Sequence, residues 1–205
     1  MQRTSQSIYD TMLSRIYGSR GGAAFTASDF LDIGSRRAVD LALHRLVNRK
    51  ILRRLAHGLY EHPREHPELG TLSPDIEKVA KALAGKDRIR LQPAGAYATN
   101  LLGLSEQVPA RVVFLTDGPS RTVKIGRQEI QLRRTTPRNM AAGGRLSGLL
   151  MQAFRHMGKE HITPDRIEHL KRTLPATERQ LLLKDLPLAP AWMHPLFREL
   201  AGSDS

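Results

Sequence analysis

Between Ser35 and Tyr60 the chain sets Arg36, Arg37, His44, Arg45 and Asn48 on the outer side of one helical repeat. Arg53, Arg54 and His57 follow within a short run that turns at Gly58. Guanidinium groups at this density recognise anions: a fork of N–H donors matches a phosphate or the edge of a guanine. Arg36 and Arg37 stand in the first helical turn, where the helix dipole favours acids, so an anion in front of them would offset a local cost. Catalytic sets are thinner. The chain has no cysteine and hence no thiol nucleophile, no thiolate metal site and no disulfide. His57, His62 and His66, with Glu61 and Glu65 between them, sit among Pro63 and Pro67 and cannot share a helix face. His156, His161 and His169 are scattered, with no HExxH. Ala141-Ala142-Gly143-Gly144-Arg145 lacks the Lys-Ser/Thr ending of a phosphate loop, and no GxSxG elbow is present. The expectation is a binding protein, not an enzyme, with no cofactor and no metal.

Helices and turns must position those groups. Ile8, Met12, Leu13 and Ile16 predict a helix over Thr4 to Tyr17, ended by the run Gly18-Ser19-Arg20-Gly21-Gly22. Thr26 with Asp29 three residues on makes a weak capping box for a short helix from about Ala27 to Leu31. Asp32-Ile33-Gly34 then turns the chain, and Ser35 caps the next helix. From Arg36 to Asn48, Val39, Ala42, Leu43, Leu46 and Val47 follow the i, i+3, i+4, i+7, i+8 rule and share one face. Leu41 falls on the opposite, polar face, where a thymine methyl or a second protein would meet it. Ile51–Leu55 and Leu59–Glu61 read as strands of a basic hairpin. Helix, short helix, turn, basic helix and basic hairpin make up a winged helix-turn-helix, with the helix in the major groove and the hairpin on the flanking backbone.

Charge agrees with this reading. The net charge is +12 over 205 residues. Residues 1–65 carry eleven basic against six acidic side chains, and residues 86–138 ten against four. Two basic regions flank a neutral stretch, which points to a polyanionic partner. No apolar run approaches a membrane span and no hydrophobic signal core opens the chain, so a cytoplasmic protein without membrane contact is expected.

Pro63, Pro67 and Gly70 predict a linker over residues 63–72. Ser73 is read as the cap of a helix to Ala84, Arg88–Leu91 as a strand, and Pro93–Leu102 as a helix with proline near its start. Val112–Thr116 predicts a buried strand, and Thr122–Ile125 with Glu129–Arg134 a hairpin. Helical pattern follows from Leu146, broken near Gly158, Pro164, Pro175 and Pro187–Pro190. Lys124, Arg127, Arg133, Arg134 and Arg138 form a possible second basic surface, with Gln131 beside it; a solvated hairpin face is an equal reading. The expected fold class is α+β. A winged helix-turn-helix DNA-binding domain (1–62) and the linker (63–72) precede a mixed α/β domain (73–205) that ends in a helical segment.

Phe25-Thr26, Leu46-Val47, Ile51-Leu52-Arg53-Arg54-Leu55 and Gly58-Leu59-Tyr60 resemble the N-terminal winged helix of the AbiEi family. These are antitoxins of type IV toxin–antitoxin (abortive infection) systems, related to transcriptional regulators. The run Leu91 to Leu104, then Val113-Phe114-Leu115-Thr116 and Arg133-Arg134-Thr135-Thr136-Pro137-Arg138, resembles that family's C-terminal domain. Members often carry Arg or Lys just before the wing glycine, where this chain has His57. The resemblance implies a repressor that binds double-stranded DNA at promoter repeats of its own operon. It also implies a cognate nucleotidyltransferase-like toxin, antagonised by the C-terminal domain without an obligatory stable complex. On this reading Ser35, Arg36, Arg37, His44, Arg45, Asn48, Arg53, Arg54 and His57 face DNA. The alternatives are an RNA-binding or a protein-interaction module using the same basic surfaces. Aromatic residues make up only 5% of the chain, which leaves little for base stacking.

Overall fold

Ile8, Met12 and Ile16 recur at helical spacing, and they build α1 (Ile8–Gly18), with Met12 and Ile16 fully buried. Its N-cap is Ser7, whose hydroxyl accepts the Asp10 N–H at 3.1 Å. The computed structural model describes residues 7–19, 21–85 and 89–202. Thr4 to Gln6, expected as the first residues of this helix, and Arg20 in the run that ends it lie outside the described residues. Contacts divide the chain into two units, Met1–Ile89 and Arg90–Ser205.

In the first unit, β1 (Ala24–Thr26) leads into the expected short helix, a 3-10 helix over Ala27–Phe30 with Leu31 as its C-cap. The Asp29 carboxylate accepts from both the Thr26 N–H (2.7 Å) and the Thr26 hydroxyl (3.0 Å), the capping box that starts this helix. Next comes α2 (Arg36–Asn48), whose expected ends are the observed ends. The Ser35 hydroxyl caps the Ala38 N–H at 3.4 Å. Val39, Ala42, Leu43 and Leu46 are buried; each of the larger ones is worth about 1.5–3 kcal/mol when fully removed from water. β2 (Arg53–Ala56) and β3 (Leu59–Glu61) form an antiparallel hairpin turning at Gly58 (φ 69°). A register shift between Arg54 and Ala56 bulges the hairpin at Leu55. β1 pairs with β3, giving the sheet order β1-β3-β2.

β4 (Glu65–His66) and β5 (Gly70–Thr71) make a two-stranded hairpin inside the stretch read as a linker. α3 (Ile76–Ala84) follows, packing against β1 within the first unit and burying Val79, Ala80 and Ala84. The division between units therefore falls later than the boundary read from sequence. The cap of α3 is Asp75, not Ser73, because the Asp75 carboxylate accepts from the Glu77 and Lys78 N–H groups.

The second unit is built on a four-stranded sheet of order β6-β7-β9-β8, from β6 (Leu91–Ala94), β7 (Arg111–Thr116), β8 (Arg121–Ile125) and β9 (Gln128–Arg134). β7 and β9 run parallel; the other pairs are antiparallel. Arg88, expected to open a strand, lies outside the described residues. Pro93 lies in β6 opposite Phe114, so the helix α4 (Gly95–Leu101) begins two residues later than its proline suggested. β6 is an edge strand, and an edge tolerates a proline whose missing N–H would point away from the neighbour. Beyond the sheet come α5 (Pro137–Met140), α6 (Leu146–Met157), α7 (Pro164–Thr173), α8 (Ala176–Gln180) and α9 (His194–Ala201). Leu150, Phe154, Leu170, Leu182, Met193 and Phe197 make their shared core. At Gly148, α6 presses so closely on the Ala142 carbonyl and on Gln92 that a Cβ would collide with both. The buried Asp185 carboxylate is held by Arg145 and by the Ser147 hydroxyl at the start of α6. The chain is thus a mixed α+β protein, and among the described residues no helix is long and apolar enough to cross a membrane.

Candidate nucleic-acid interface

The turn ahead of α2 is held by Arg15 of α1. Its guanidinium donates to both Asp32 carboxylate oxygens, at 2.9 and 2.7 Å, and to the Asp29 carbonyl at 2.8 Å. The Asp32 hydrogen bond raises the Arg15 pKa above its ordinary value, so this clamp stays charged. It fixes where Ser35 starts α2, and with it the direction of the helix's outer face.

That face carries Arg37, Leu41, His44, Arg45 and Asn48, all exposed. Among the described residues Arg37 and Arg45 have no side-chain hydrogen bond or ion pair, so their donors are open to an outside acceptor. Arg36 is engaged: its Nε donates to Asp40 at 2.9–3.0 Å, an exposed i, i+4 pair. Such a pair is worth only a few tenths of a kcal/mol, about 0.3–0.5, so a phosphate could displace Asp40 cheaply. His44 and Asn48 face one another, with Asn48 Nδ2 3.1 Å from His44 Nε2.

The hairpin separates its two arginines. Arg53 turns inward: Nη2 donates to Glu61 Oε2 at 2.5 Å and to the Leu72 carbonyl at 2.9 Å, and Nε donates to the same carboxylate at 3.1 Å. Glu61 is 1% exposed, and its other oxygen has no partner among the described residues. Arg53 therefore balances a buried charge, and the structure removes it from the set of available cations. The register Arg53↔Glu61 across β2 and β3 is the cause. Arg54, one residue on, faces solvent. It donates to the Ala56 carbonyl at 3.3 Å and lies 3.2 Å from His57 Nδ1 at the hairpin tip.

Two cations escaped the sequence reading. Lys50 takes the left-handed conformation (φ 58°) just past α2, where the Lys50 N–H reaches the Val47 carbonyl and the Ile51 N–H the Leu46 carbonyl. This is a Schellman ending, a position that normally goes to glycine. A lysine three residues past Val47, the last apolar residue of the helix, was the available signal. Arg49 stacks on the Tyr9 ring at 5.2 Å and donates to its hydroxyl at 3.1 Å.

In the second unit Lys124, Arg127, Arg133, Arg134 and Arg138 are all exposed, while Gln131 is half-buried. They do not form one face. Strand alternation puts Lys124 and Arg133 on one side of the sheet and Arg134 on the other, with Arg127 in the turn and Arg138 on α5. The histidines weighed as a cluster are also apart in role. His57 contacts Arg54, His62 lies edge-on to Tyr17, and His66 Nδ1 accepts the N–H groups of Glu68 and Leu69. Among the described residues no group of three or more His, Asp or Glu side chains could hold a metal ion.

No curated protein matches the sequence. A family model does match, over residues 11–182, which span both the α2–hairpin region and most of the second unit; the chain belongs to the Family of unknown function (DUF6088).

Proposed function

We propose that the chain is a cytoplasmic, sequence-specific repressor that grips duplex DNA through a winged helix-turn-helix. The supporting observation is the path of the first unit. α1, β1, the 3-10 turn, α2 and the β2–β3 hairpin follow in order, with sheet order β1-β3-β2. In that order α2, with its outer face exposed, is followed directly by the hairpin, the sequence of elements in which a helix reads the major groove and a wing holds the backbone. Arg37, Arg45, Asn48 and His44 then address base edges and phosphates, and Lys50, Arg54 and His57 the flanking backbone.

The test is binding of the full chain to its own promoter duplex, a scrambled duplex and RNA of the same length. The promoter should bind tightest. Arg37→Ala should cost about 1–3 kcal/mol on the promoter if it reads a guanine. Equal affinity for all three nucleic acids, or an unchanged promoter affinity in the variant, sinks the assignment.

The antitoxin role rests on the sequence resemblance to the AbiEi family. On that reading the second unit antagonises a nucleotidyltransferase-like toxin encoded beside it, without a stable complex. Co-expression with the adjacent reading frame measures this: growth inhibited by the neighbour alone and restored by this chain supports it, and no rescue refutes it.

A further inference from the structure

Leu41 is 52% exposed in the middle of α2, on the side away from the core. The core needs nothing from it, since Val39, Ala42, Leu43 and Leu46 already fill the inner face. Lys, Gln or Glu would serve helix formation equally well at a solvent-facing site. At 100° per residue Arg37 and Arg45 lie one turn before and after Leu41, about 40° to either side, with Asn48 about 20° off its line. The single acidic side chain of α2, Asp40, is paired with Arg36. The face is therefore two open guanidinium groups around one apolar side chain. A protein-binding patch would gather several apolar residues at its centre, whereas α2 offers only Leu41. The major groove offers phosphates, polar base edges and one apolar group, the C5-methyl of thymine.

We propose that Leu41 packs on a thymine methyl and sets a preference for T in the bound sequence. The proposal rests on the DNA-binding reading above. With α2 along the groove, the rise of about 6 Å from Arg37 to Leu41 places this thymine roughly two base pairs from the base or phosphate that Arg37 meets.

The experiment begins by selecting sites from a random duplex pool with the full chain. Each thymine of the preferred site is then replaced singly by deoxyuridine, which removes the methyl and keeps every hydrogen-bonding group. At one position the wild-type chain should lose about four-fold in affinity, the worth of one buried methyl. Leu41→Ala should bind the thymine and uracil duplexes equally, and Leu41→Met should keep the preference. Far-ultraviolet circular dichroism checks that both variants remain helical. Indifference of the wild type to every replacement, or the same loss in Leu41→Ala as in wild type, overturns the proposal while leaving DNA binding intact. Failure to select any duplex overturns the DNA-binding reading itself, and this proposal with it.

Discussion

Arg53 and the buried Glu61 form a pair in which one partner is nearly free of water contact while the other is half-buried, so removing the arginine strands a carboxylate in the protein interior. Breaking such a pair costs far more than the pair contributes over an apolar substitute. Arg53→Ala should therefore destabilise the first unit by roughly 3 kcal/mol. Arg54→Ala, at an exposed position, should fall within about 0.5 kcal/mol of wild type. Denaturant unfolding of the two variants separates them, and equal losses would show that Arg53 is not the structural cation. The sequence shows two adjacent arginines of equal standing. Their difference comes from strand alternation and from a register set eight residues away, so it is legible only once β2 and β3 are paired.

At the scale of elements, α2 was legible end to end because both its start and its buried face are written in local side chains: the Ser35 hydroxyl and the 3.6-residue apolar stripe. Its C-terminal turn was not, because Lys50 occupies a conformation that favours glycine. The left-handed region costs an L-residue about 1–2 kcal/mol, partly offset by the extra chain entropy glycine would lose on folding. Lys50→Gly should thus stabilise the first unit by about 0.5–1 kcal/mol in denaturant unfolding, and weaken DNA binding if the lysine serves a phosphate. No gain in stability would remove strain as the price of this residue. Other misreadings share a cause in tertiary context. Pro93 looks like a helix start until β6 is seen as a sheet edge, and Ser73 looks like a cap until the Asp75 carboxylate is seen to accept the Glu77 and Lys78 N–H groups. In the second unit Arg90 donates its backbone N–H and its Nε to Asp117, each at 2.9 Å, and Nη1 to the Met140 carbonyl at 3.1 Å. The Arg90 hydrogen bond holds the Asp117 carboxyl below its ordinary value of 3.8. A carboxylate whose pKa is depressed by folding adds stability above its unfolded value and loses it as pH falls through the folded one. Wild type should lose this small contribution below about pH 4, and Arg90→Ala should show a shallower acid dependence there; parallel profiles would refute the pairing.

For the whole molecule, the +12 charge draws any polyanion, so affinity alone is no sign of recognition. Long-range attraction acts alike on a promoter and on a scrambled duplex, and each phosphate neutralised contributes about −0.9 to the slope of log K against log salt. On the proposed DNA-binding reading, recognition comes from the few groups that touch base edges. On that reading the exposed Arg45 and Arg54 meet phosphates. On the same reading Arg37 and Leu41, nearer the line opposite the buried face of α2, meet bases. Neutralising Arg45 and Arg54 together should flatten the salt slope by about 1.8 and weaken promoter and scrambled duplex by similar factors. Arg37→Ala should instead act on the promoter and leave the scrambled duplex nearly unchanged, so that the ratio of the two affinities falls. Anisotropy titrations between about 50 and 200 mM salt measure both quantities on the full chain. A slope unchanged in the Arg45/Arg54 double variant, or an Arg37 loss shared equally by both duplexes, would mean that this face of α2 is not the one that meets the groove.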